Sequence, residues 1–403
     1  MGTTISCRFS APTLLLLILV ATPGRVAFAA AQPQQAQQPA SPIAPVPQLA
    51  PKPKPKAPPK PTPTPPKFPS AVKWSVIVDA APVAPPLVTD GRVILALRSG
   101  TLSARLLTDG KDAWTVKLPV DQQLAAEGDK IFVVTGETLH ALNAADGSSV
   151  WKAEVGKPSA PILARGGWVI VAGGGSVTAL RAVDGETIWT KSAGAISERP
   201  AIDGDALYLP IAEGRMIAVD LKTGNVRWDL EVGASPTEPL AYGDRVYFGS
   251  DSKRFVSLKA SSGREEWGWA IGTRIIGPAA ADESRVYFTA MDNILRALSR
   301  GNGGRRWAYP LAYRPTRGPV VIGGQVGVPG ITTELPGLDV TSGKATGKLT
   351  LPVQLAIGPS FVPPSSVDGV PAVVTITGGL TNQWTVSLSR PEADPAPPAV
   401  PKY

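Results

Sequence analysis

From about residue 72 to 390, apolar and polar positions follow one another in short runs bounded by turn residues, without a helical period. The segments 92–97, 130–134, 168–171, 206–209, 245–248 and 285–288 are β-branched and aromatic. Each follows Asp-Gly, Gly-Asp or a similar turn, which predicts strands. A shorter apolar segment precedes each one. It is often opened by proline, as at Pro85, Pro161, Pro200, Pro239, Pro278 and Pro319. Proline at the first residue of a strand costs no ladder bond.

A hairpin completes each unit. Its turns read Asp109-Gly110, Asp146-Gly147, Asp184-Gly185, Thr223-Gly224, Ser262-Gly263 and Asn302-Gly303. The first residue tolerates a left-handed backbone or bonds its own main chain, and glycine takes the positive φ. A tryptophan follows each glycine by four residues, so it lies on the second strand of the hairpin. These are Trp114, Trp151, Trp189, Trp228, Trp267 and Trp307, and Trp74 stands ahead of them with no such turn. The seven are separated by 40, 37, 38, 39, 39 and 40 residues. A fixed beat of this length means one supersecondary unit copied many times. Six residues before each turn glycine stands a small residue: Ala104, Ala141, Ala179, Ala218, Ser257 or Ala297. The expectation is that each tryptophan packs against a neighbouring unit over this small residue.

Four short strands per unit, arranged radially, predict an all-β fold, a β-propeller. Six full units end near residue 311. A seventh spans 312–350 and keeps Asp339, Ser342 and Gly343, but Gly347 stands at its tryptophan position. The last unit, 351–390, lacks a tryptophan-bearing strand, and one such strand, around Trp74, is left over at the front. Joining the ends gives an eight-bladed β-propeller of four-stranded blades over residues 70–390, closed by an N-terminal strand. Closure removes the exposed edges of an open array. The alternative is a seven-bladed ring with a stray strand.

The Asp-Gly-x3-Trp turn at this period resembles the repeat of the pyrroloquinoline-quinone (PQQ) family of propellers. The resemblance covers roughly residues 72–390. Length and the lack of long insertions are most similar to its BamB group. That resemblance implies a non-enzymatic eight-bladed scaffold of the outer-membrane β-barrel assembly machinery, which binds the barrel-insertion protein. The chain departs from the group in two respects. Its one cysteine, Cys7, precedes the apolar signal core, so no lipobox is evident. The loops 196–200 and 235–239 read Ile-Ser-Glu-Arg-Pro and Ser-Pro-Thr-Glu-Pro, where the group has a Leu-Arg loop and an Asp-x-Asp sequence. No binding residue is therefore carried over.

Ahead of the repeats, residues 1–30 read as a secretory signal: Arg8, an apolar core at 14–20, and Ala27-Phe28-Ala29 before a cleavage site. An uncleaved anchor is the alternative; both imply an exported protein, periplasmic or otherwise in the cell envelope. Residues 31–69 are rich in Pro, Ala, Gln and Lys, and include Pro51-Lys52-Pro53-Lys54-Pro55-Lys56. Such a composition favours a disordered, extended linker. It is either a plain solvated spacer or an arm touching peptidoglycan or anionic lipid. Residues 391–403 form a Pro-rich tail.

The formal charge of +8 would suggest a nucleic-acid partner if it lay on the folded part. It does not. Arg8 and Arg25 lie in the signal and Lys52, Lys54, Lys56, Lys60 and Lys67 in the linker, with no acid before Asp79, and removing those seven charges leaves +1. A near-neutral ring is not a nucleic-acid binder.

Little in the sequence points to chemistry. His140 is the one histidine, at a repeat position, and Cys7 the one cysteine. His/Cys zinc clusters and a cysteine nucleophile are thereby excluded from the ring. No catalytic, cofactor or metal residue is assigned. The tryptophans repeat in step with the fold and are read as core. A quinone-dependent oxidoreductase is the contrasting reading, and a cell-wall-binding or sensor propeller is a third. The candidate partner-binding residues precede the strand-opening prolines, where a rim of the central channel is expected: Glu198, Arg199, Thr237, Glu238, Arg274, Arg314 and Arg317. A monomer with a protein partner is expected. The seventh unit, without its tryptophan, is either decayed or freed for binding.

Overall fold

Every turn glycine of the repeat has a positive φ, from 68° to 77° in Gly110, Gly147, Gly185, Gly224, Gly263, Gly303 and Gly343. The computed structural model describes residues 68–362, 370–378 and 383–392. The expected signal, residues 31–67 of the expected linker, and residues 393–403 of the tail lie outside them.

Among these residues the chain forms eight four-stranded antiparallel sheets. Blade 1 comprises Leu87–Thr89, Arg92–Leu97, Thr101–Leu106 and Asp112–Lys117, ordered from the axis outward. Blades 2 to 7 repeat this plan over 125–154, 163–192, 201–231, 240–270, 275–310 and 320–350. Blade 8 takes Ser360–Val362, Ala372–Gly378 and Trp384–Arg390 from the end of the chain and its outermost strand, Ala71–Val78, from the front. The join runs from Ala71↔Arg390 to Val78↔Trp384, with a bulge between Val72 and Trp74. The innermost strands of blades 8 and 1 also touch. The ring is eight-bladed, and the seven-bladed alternative falls away.

The core lies in the seams between blades. Val93, Leu95 and Leu97 pack with Val374, Ile376, Val386 and Leu388 of blade 8. The alternate residues Ile94 and Ala96 pack with Ile131, Val133 and Leu142 of blade 2. A middle strand is thus buried on both faces, which is why these segments read as unbroken apolar runs.

Each tryptophan bridges a seam. Its own small residue sits across the hairpin, as Ala104↔Trp114 and Ala179↔Trp189. The ring lies over the turn glycine of the next blade. A Cβ on Gly224 would come within 2.9 Å of the Trp189 ring, and one on Gly147 within 2.7 Å of Trp114. The indole N–H then donates to the carbonyl three residues before that glycine, at 2.9 Å for both Trp189→Leu221 and Trp114→Ala144. The expected packing against a neighbour is present, but the seat is the neighbour's glycine, not the small residue. The prolines differ as well. Pro200, Pro239 and Pro319 stand one residue before their strands and Pro85 and Pro161 two, while Pro278 lies within Ile275–Ala281 at a bulge.

The seventh blade keeps its seam by another route. Gly337 and Gly347 face each other where other blades have the small residue and the tryptophan. Phe68, 2% exposed, fills the space. A Cβ on Gly337 would clash with the Phe68 ring, and one on Gly347 would lie 3.2 Å from the Phe68 Cβ. Phe68 comes from the open junction of blade 8, three residues before the closing strand, where Ser70 N donates to Arg390 O at 3.1 Å. The usual arrangement is inverted: the junction supplies the aromatic ring and the preceding blade supplies the glycines. The blade is compensated, and its packing includes a residue that the sequence reading left in the linker.

Candidate functional site

The loops that enter the innermost strands converge at one end of the central channel. They form a funnel of about 810 Å³ to which all eight blades contribute. Glu198, Thr237, Glu238, Arg274, Arg314 and Arg317 all line it. Arg199 stands behind them, its Nη1 3.9 Å from Glu238 Oε1. The sequence-selected residues, drawn from blades 4 to 7, thus come together in one place.

Arg317 spans the channel. Its Nη2 donates to Glu238 of the blade 5 loop at 3.1 and 3.4 Å, and its Nη1 to Gln123 Oε1 of the blade 2 loop at 3.2 Å. Glu238 is therefore held on two sides by arginine. Thr237 has a different part. It is only 7% exposed, its N–H donates to Gly249 O, and its hydroxyl accepts from Gly249 N at 3.0 Å, so it stiffens the wall. Arg274 and Arg314 stand exposed at the mouth. Gln123 escaped the sequence reading because blade 2 has Leu124 where the proline signal was sought. Met291, between Arg274 and Arg314, carries no sequence signal.

Burial pushes the Glu198 carboxyl above the usual carboxylate range, and the nearby Glu238 charge adds to this. Burial also lowers the Arg199 guanidinium pKa, with Glu238 opposing. A carboxyl whose pKa rises on folding binds its proton more tightly in the native state. Stability therefore falls as pH rises above about 4.5 through the raised value. Glu198→Gln is expected to raise the melting temperature at pH 7 and leave it nearly unchanged at pH 4. Equal effects at both pH values would contradict this.

Outside the funnel, His140 is 9% exposed, and burial, aided by Lys152, lowers its pKa. It packs as a strand residue opposite Val133 and Lys152.

Ring, tryptophan seats and charged funnel define an eight-bladed propeller of the PQQ type. A family profile described as outer membrane protein assembly factor BamB matches residues 98–242 and 233–355, and the chain belongs to that family. A curated relative, outer membrane protein assembly factor BamB of Alkalilimnicola ehrlichii, is 27% identical over 144 residues, 34% of this chain and 38% of the relative. The match thus spans well under half of that protein. The crystal structure of BamB from Moraxella catarrhalis superposes with a TM-score of 0.61 at 21% identity, covering 79% of this chain and 99% of the other. Quinohemoprotein alcohol dehydrogenase from Comamonas testosteroni does so with a TM-score of 0.62 at 14% identity, covering 80% and 77%. At these identities the two structures bear on the fold alone.

The funnel's side chains do not fit a quinone held with calcium. That cation takes six to eight oxygen ligands. Here Glu238 is engaged by arginines, the Thr237 hydroxyl is used by Gly249, and Glu198 disfavours its charged form. Among the described residues no three His, Cys, Asp or Glu side chains are grouped for a metal.

Proposed function

We propose that this protein is a non-catalytic, protein-binding scaffold of the bacterial cell envelope, working in outer-membrane β-barrel protein assembly. It is exported through its N-terminal segment and acts as a monomer. The observation that carries the reading is family membership across residues 98–355. The funnel supports it. Arginine is favoured as an anchor in protein interfaces, and the mouth offers two exposed ones, Arg274 and Arg314, beside apolar wall. Glu198, Arg199, Glu238 and Arg317 form the inner part of the same surface, with Thr237 shaping it.

A photo-crosslinking residue placed at Thr316, exposed in the funnel, tests this in cells. The same residue at Val226, 61% exposed on an outermost strand, is the control. The expected result is a discrete adduct with an envelope assembly protein from Thr316 and none from Val226. Adducts from Val226 alone would move the interface to the outer strands and sink the funnel reading.

A further inference from the structure

The funnel's charges are unevenly committed. At its inner end Arg317 holds Glu238 and Gln123, and Arg199 stands beside Glu238. At its mouth Arg314 contacts Met291 Sδ at 3.9 Å and pairs with no carboxylate among the described residues. Arg274, whose side chain is 66% exposed, has the exposed Asp251 at 3.7 Å and acts on Glu198 through its charge, and no carboxylate holds it closer among the described residues. The two arginines come from adjacent blades and flank one residue, since Met291 N donates to Arg274 O at 2.9 Å. The same wall also carries apolar residues, among them Ile276, Pro315, Ile357 and Phe361.

We propose that the funnel takes an acidic segment of a protein partner, with carboxylates clasped by Arg274 and Arg314 and apolar side chains against that wall. This rests on the scaffold reading and names the chemistry of what the scaffold holds. Guanidinium groups bind carboxylates through charge-assisted hydrogen bonds, and Glu238, which accepts at both oxygens from Arg317 Nη2, is an internal instance. At the inner end Arg317 and Arg199 already face Glu238, at 3.1 and 3.9 Å. An incoming carboxylate is therefore directed to the mouth. A space of about 810 Å³ is within the usual range of roughly 300–1,000 Å³ for ligand clefts. It suits a short peptide and is too concave to meet a flat bilayer. The apolar wall calls for side chains rather than a headgroup.

The test is fluorescence polarisation with the purified full chain and a labelled hexapeptide alternating glutamate with leucine or phenylalanine. Its counterpart carries glutamine in place of glutamate. The acidic peptide is expected to bind at least tenfold more tightly, with affinity falling as salt rises. Arg274→Glu/Arg314→Glu is expected to weaken it at least tenfold without changing thermal unfolding. Arg305→Glu, on an outermost strand, is expected to leave binding unchanged. Equal binding of the two peptides, or no loss in the double variant, would overturn the proposal. So would phosphatidylglycerol vesicles binding through these arginines when the peptide does not. If wild type captures an envelope partner in cells and the double variant captures it equally well, the acidic-segment assignment fails and the scaffold stands. If wild type captures none, the scaffold reading itself fails.

Discussion

Phe68→Ala should destabilise the ring by about 3–5 kcal/mol, the range for emptying a core site of an aromatic side chain. The expected loss is large because Gly337 and Gly347 both face that space and contribute no side chain to it. The cavity would also lie in the seam beside the closing strand, where the two ends of the chain meet. Gly347→Trp alone is expected to destabilise as well, since even a Cβ there meets Phe68 at 3.2 Å. Combined with Phe68→Ala it should recover part of the loss, because the indole refills the space from the blade side. Urea unfolding of the four proteins gives the coupling directly. A loss below about 1 kcal/mol for Phe68→Ala, less than a third of the core-aromatic range, would mean that the seam closes without this ring.

Trp189→Ala is expected to cost a similar amount, about 3–5 kcal/mol. Trp189 is 9% exposed, seats on Gly224 and donates to Leu221 O at 2.9 Å. Both the ring's contacts and a hydrogen bond across the seam are lost. Trp189→Phe keeps an aromatic ring but not the N–H, and should cost about 1 kcal/mol or somewhat more. Neither change should alter affinity for a funnel ligand below the melting transition, since Trp189 packs in the seam of blades 3 and 4, outside the funnel lining. Lost binding at unchanged stability would show that the tryptophans serve recognition.

The ring was legible because its signals repeat. A turn glycine four residues before a tryptophan occurs six times, and the orphan strand at Trp74 announced the closure. The reason for those glycines was only half legible. Positive φ belongs to the local chain, whereas the tryptophan seat belongs to a neighbour some 35 residues away in sequence, as Trp74 over Gly110 illustrates. Phe68 could not be placed from its surroundings, which are proline and lysine, since its partners lie more than 250 residues downstream. At the funnel, Glu198, Arg199, Glu238 and Arg317 stood out because they sit beside prolines at loop ends. Gln123 and Met291 did not, because their neighbourhood forms only when the ring closes and brings blades 2, 5, 6 and 7 to one axis.

The most direct measurement is crosslinking in cells, followed by affinity purification of the tagged protein and mass spectrometry of what accompanies it. Recovery of a β-barrel assembly protein, reduced by Arg317→Ala at unchanged protein level, is the result expected of an envelope scaffold working through its funnel. Recovery of cytochromes or other electron-transfer proteins without assembly factors would contradict it.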